Sequence, residues 1–99
     1  MSANAAVSQF AIDGEFTIYR AADLKTELLD ALRKTQVLEV NLGGVTELDT
    51  AGLQVLMLAK QTAHADKREL HLVAHSPAVV EIFQMLDLGA FFGDAVLIH

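Results

Sequence analysis

The sequence predicts a single α/β domain spanning residues 1–99, with a mixed sheet of four to five strands and three main helices. Three observations carry that prediction. Short β-branched, apolar runs alternate with stretches whose apolar residues recur at helical spacing, as in successive strand–helix units. A strong turn signal near the amino terminus, Asp13-Gly14, adds an antiparallel pair to an otherwise parallel sheet. A chain of 99 residues with 53% hydrophobic content has room and material for one core, not two.

The elements follow in order. Val7 to Ile12 is short and apolar, and Asp13-Gly14 turns it into a partner strand, Glu15-Phe16-Thr17-Ile18. Leu24, Leu28, Ala31 and Leu32 then recur with polar residues between them, which predicts an amphipathic helix over 21–34. Val37-Leu38-Glu39-Val40-Asn41-Leu42, bounded by Gly43-Gly44, reads as a buried central strand. A short loop leads to Asp49-Thr50 and a second helix over 50–65. Leu70-His71-Leu72-Val73 is the next strand. Ser76-Pro77 opens a third helix, running to about 88, with Ser76 as cap and Pro77 at its first position. Val79, Ile82, Phe83 and Leu86 mark its inner face, and Gly89 stands where a left-handed terminating residue belongs. Ala95-Val96-Leu97-Ile98 is a candidate closing strand. No repeat, linker or low-complexity tract interrupts this series.

Composition excludes several classes of function. There is no cysteine, hence no disulfide framework, thiolate metal site or cysteine nucleophile. Thirteen acids against seven bases give a net charge of −6. The densest basic stretches are the pairs Arg33-Lys34 and Lys67-Arg68, which argues against nucleic acid and for solubility or a basic protein partner. Met1 to Ala6 lacks a charged and apolar leader pattern. The longest apolar run, Val55 to Ala59, is far below the roughly 18 residues that span a bilayer. A cytosolic, monomeric chain that does not insert into membranes is expected. His71 and His75 fall on or just after a strand, where a spacing of four does not converge on a metal. Gly43-Gly44 lacks the Gly-Lys-Ser/Thr of a phosphate loop, and Ser2, Ser8 and Ser76 lack a nucleophile's setting. No cofactor and no catalytic residue is expected.

One segment concentrates the interest. From Val40 to Leu53 a buried strand delivers a loop, and the loop delivers Asp49 and Thr50 to a helix start. A carboxylate there accepts hydrogen bonds from unpaired amides and faces the positive end of the helix dipole. Gly52 leaves the first turn without a side chain, open to close approach. On physical grounds alone this is an ordinary helix start. The helix itself is richer in apolar residues than one face needs: Leu53, Leu56 and Met57 form one stripe, and Val55, Leu58 and Ala59 another. Either neighbouring elements cover both stripes, or one is a patch for a partner.

The stretch Val40 to Leu58, centred on Leu48-Asp49-Thr50-Ala51-Gly52-Leu53, resembles the signature of STAS domains. In anti-sigma-factor antagonists of that family the pattern is Asp-Ser-(Ser/Thr/Ala)-Gly-Leu. Agreement extends to Gly14-Glu15, the Leu24 helix, the Ser76 cap and Val80 to Gly89. The resemblance implies a regulatory binding module in which Thr50 is the phosphoacceptor of a partner serine/threonine kinase, often itself the anti-sigma factor. The unphosphorylated form binds its partner and phosphorylation releases it, with Asp49, Thr50, Ala51, Gly52 and Leu53 forming the binding segment. Two departures stand out: threonine replaces the commoner serine, and Thr17 stands where many members carry an acid near the phosphorylation site. The resemblance also allows chemotaxis or two-component settings, the cytosolic subunit of a lipid-transport ABC complex, or a small-ligand sensor.

Overall fold

The computed structural model describes residues 7–87. Strand β1 (Val7–Phe16) leads through a turn to helix α1 (Ala21–Arg33), which returns the chain to strand β2 (Val37–Leu48). Helix α2 (Thr50–Ala65), strand β3 (Glu69–Val73) and helix α3 (Pro77–Leu86) follow. The strands lie in the order β1-β2-β3, and both neighbouring pairs are parallel.

The sheet differs from the expectation of four to five mixed strands: among the described residues it has three, all parallel. The difference arises at Asp13-Gly14, where the chain does not reverse. Gly14 does adopt a left-handed conformation, φ +79. The register with β2 shifts between Ala11 and Asp13 and again between Gly14 and Glu15, so the glycine serves a bulge within one continuous strand. Arg20 holds this irregular stretch, its Nη1 donating to the carbonyls of Asp13 and Glu15 at 2.6 and 2.7 Å. Ile18, expected to end a second strand, lies in the turn that follows β1. The candidate closing strand Ala95–Ile98 lies outside the described residues.

The helices form where the periodicity places them, because each buries a continuous stripe. Leu24, Leu28 and Leu32 of α1 lie one turn apart and are all buried. Each such leucine contributes about 1.5–3 kcal/mol through removal from water. Helix α2 packs against α1, β2 and β3 and buries Leu53, Val55, Leu56, Ala59 and Ala63. Both its apolar stripes are therefore largely covered, and Leu58, 36% exposed, is the residue left at the surface. Ser76 caps α3 by accepting from the Val79 amide at 3.3 Å, and Val79 and Phe83 point into the core. Leu86 does not join them; it is 52% exposed. The helix also ends earlier than expected, because Asp87 takes a left-handed conformation, with φ 53. Aspartate is among the few residues that visit that region readily. Gly89 lies outside the described residues.

One asymmetry of the sheet positions the site. Among the described residues β3 pairs only with Val37–Asn41 of β2, while β1 and β2 stay paired as far as Phe16 and Leu48. This two-stranded arm ends by launching α1 and α2 side by side.

Candidate functional site at the start of the second helix

Asp49 leaves β2 in an extended conformation and caps α2, as its position in the sequence predicts. Its two carboxylate oxygens do different things. Oδ1 accepts from the Gly52 amide at 3.0 Å, satisfying a helix-start donor. Oδ2 accepts from the Ile18 amide at 3.0 Å, 31 residues away in the chain. A backbone bond from Asp49 to the Phe16 carbonyl, 3.4 Å, runs alongside. One side chain therefore pins the β1–α1 turn to the first turn of α2. Hydrogen bonds from Gly52 and then Ile18 favour the ionised form and hold the Asp49 carboxyl below the usual carboxylate range.

The residues expected to form the binding segment separate into three groups. Thr50 is the first helical residue and is exposed; Asp49 and Ala51 are half-buried; Gly52 and Leu53 are buried. The close approach that Gly52 permits is made by the protein itself: a Cβ at this position would collide with the Phe16 carbonyl. Its lack of a side chain serves the junction of β1 with α2 rather than an approaching surface. Thr17 lies in the same junction, only 5% exposed, its buried hydroxyl without a hydrogen-bond partner among the described residues. A charged residue could not take that place without desolvation.

Sequence reasoning missed the neighbours that the pinned turn presents. Ile18, whose amide bonds to Asp49, is 68% exposed, and Tyr19, next in the chain, 88% exposed. Placing Ile18 in a strand concealed them; the available signal was an Ile-Tyr pair directly before a helix with its own complete apolar stripe. Next to them, between α1 and α2, lies a shallow groove of about 290 Å³ lined by Ala21, Ala22, Lys25, Ala51, Gln54, Val55 and Leu58. The site thus joins an exposed hydroxyl, a fixed negative charge and apolar surface, which suits docking of a protein better than bond-making chemistry. Among the described residues no three His, Cys, Asp or Glu side chains converge on a metal position, and no helix is long and apolar enough to cross a membrane.

Comparison with known proteins places this geometry in a family. The family model described as Mlab, STAS domain matches residues 1–98. Among solved structures, the fold is similar to the anti-sigma factor antagonist SpoIIAA in its unphosphorylated form, with a TM-score of 0.69 and 20% identity. That match covers 90% of this chain and 80% of SpoIIAA. It is also similar to the STAS domain of a SulP transporter from Vibrio cholerae, with a TM-score of 0.66 and 19% identity, over 88% of this chain and 68% of the other.

Proposed function

This chain belongs to the STAS domain family, and on that premise we propose that it is an anti-sigma-factor-antagonist-like binding module that switches partners through phosphorylation of Thr50. The observation that carries the reading is the exposed Thr50 hydroxyl, set directly after a carboxylate already committed to holding two segments together. A phosphate on Thr50 would add about −1.5 to −2 charge beside Asp49. The helix dipole tolerates that charge within the domain. A partner docked over Ile18, Tyr19 and the helix start would have to desolvate it, which opposes binding. The kinase is then a signalling partner, an anti-sigma serine/threonine kinase being the first candidate. The module itself performs no chemistry and works as a monomer in the cytoplasm.

A second reading is a permanently docked subunit, as in a lipid-transport ABC complex, where Thr50 need not be modified. The exposed Ile18 and Tyr19 favour it, since apolar surface suits a lasting interface, and one fold it resembles is a transporter's STAS domain.

The two readings part on Thr50. The protein encoded beside this one is titrated with the parent, Thr50→Ala and Thr50→Glu at matched salt. A switch predicts that Thr50→Ala binds like the parent and Thr50→Glu binds roughly a hundredfold more weakly, the effect of a few kcal/mol. Equal affinities for all three remove the switch and leave the docked subunit.

A further inference from the structure

At the other end of α2 most of the basic residues of the chain gather. Of the seven Lys and Arg residues, Arg20 and Lys25 lie at the turn before α1 and in its first half. The other five, Arg33, Lys34, Lys60, Lys67 and Arg68, gather where α1 and α2 end and β2 and β3 begin. The two loops there are tied together: Glu69 donates its amide to the Gln36 carbonyl at 2.9 Å, and Arg68 Nη1 donates to the Thr35 carbonyl at 2.6 Å. Between the last turns of α2 and the start of β3 lies a cleft of about 210 Å³ lined by Lys60, Ala63, His64, Arg68, Glu69, Leu70 and His71.

Two features of this cleft point to a ligand. Its cations have donors to spare. Lys60 spends one of its N–H groups on the Leu70 carbonyl, at 2.8 Å, and Arg68 spends one on Thr35; an ammonium carries three and a guanidinium five. Among the described residues the buried Arg68 Nε–H also has no acceptor, a donor for which burial is otherwise unfavourable. The one carboxylate among the described residues of the lining, Glu69, is turned onto His71 at 3.1 Å. The end of α2 does not oppose an anion through bare carbonyls, because the backbone amides of Asp66, Lys67 and Arg68 cover those of Thr62, His64 and Ala63.

We infer that the cleft between α2 and β3 is an anion site that takes a phosphate group, held by Arg68 and Lys60 with His64 at its rim. A planar guanidinium and an ammonium lining one cleft are the donor set that phosphate oxygens fit. The site lies about 15 Å along α2 from Thr50, at 1.5 Å per residue, and is independent of the switch proposed there.

The test is a titration of the labelled protein followed by its amide NMR signals, at constant ionic strength. One arm uses inorganic phosphate and the other glycerol 3-phosphate. Saturable shifts confined to residues 60–64 and 67–71 are expected. Saturation in both arms identifies phosphate itself as the ligand group, and saturation by glycerol 3-phosphate alone identifies a monoester. Arg68→Gln should abolish saturation. Because Arg68 also holds Thr35, exposed His64 provides the second variant: His64→Glu places a like charge at the rim and should weaken binding about tenfold or more. Linear, unsaturated shifts in both arms, shifts centred on Thr50, or unchanged affinity in His64→Glu would each overturn the site.

Discussion

At the scale of single residues the site rests on Asp49 and Gly52, and each makes a different demand. Because its hydrogen bonds lower the Asp49 pKa in the folded protein, the ionised carboxylate binds the native state more strongly than the unfolded one. Its contribution is therefore complete above the unfolded value, near 3.8, and is lost as pH falls through the lower folded value. Thermal midpoints of the parent and Asp49→Asn, measured from pH 6 down to pH 2, should lie apart at the upper end and converge in acid. Parallel curves would mean that the carboxylate does not hold the turn. Gly52 is demanding for a steric reason. The atom a Cβ would strike is the Phe16 carbonyl, part of the backbone of β1, which cannot swing aside. A Cβ on Gly44 would instead meet the carboxylate of Asp13, an exposed side chain that can rotate away. Gly52→Ala should therefore cost about 1–3 kcal/mol, the usual range for overpacking, and Gly44→Ala clearly less. Denaturant midpoints of the two variants decide; equal losses would refute the distinction.

At the scale of elements, what was legible in the sequence was what neighbours in sequence decide. The leucines of α1 recur with the period of one helix face, Asp49 and Ser76 stand where caps belong, and all three helices begin at the predicted residue. The β1 error came from a choice that local chemistry leaves open. Asp-Gly serves a tight turn and a bulge equally well, because both ask for a left-handed glycine. Here the choice is made by Arg20, which bonds to both sides of Gly14, and by Asp13 lying across Gly44 of the neighbouring strand. The end of α3 is similar: glycine is the better left-handed residue by type, yet α3 already ends at Asp87, which takes that conformation. The site was half legible. Asp49 was placed as a cap because a cap is a local device, whereas Thr50 was singled out by the resemblance alone. Ile18 and Tyr19 were not found, since their exposure depends on a hydrogen bond across 31 residues. One prediction belongs at this scale. Arg20→Ala removes both bonds to the bulge and should raise amide exchange through Asp13–Glu15 while leaving α2 protected. Unchanged exchange at those amides would show that β2 alone fixes the bulge.

At the scale of the molecule, a switch must change what binds without changing what folds, and the architecture allows that separation. The core is built from Leu24, Leu28 and Leu32 of α1, Leu53, Leu56 and Ala59 of α2, Val79 and Phe83 of α3, and the inward residues of all three strands. Thr50 contributes nothing to it; the side chain is exposed at the first position of a helix of 16 residues. A negative charge at that position faces the positive end of the helix dipole, worth about 0.3–1 kcal/mol in favour of the fold. Repulsion from Asp49 acts against this, but the Asp49 oxygens are turned toward Gly52 and Ile18, and exposure to water screens the pair. The two effects are of similar size and opposite sign. Thr50→Glu should therefore melt within about 0.5 kcal/mol of the parent, the margin of an ordinary surface substitution, with amide signals displaced only in the β1–α1 turn and the first turn of α2. A loss well beyond that margin, or displaced signals throughout β2 and α1, would mean that charge at Thr50 acts by loosening the domain. Partner release would then be a consequence of unfolding, and the interface would not be the element that Thr50 controls.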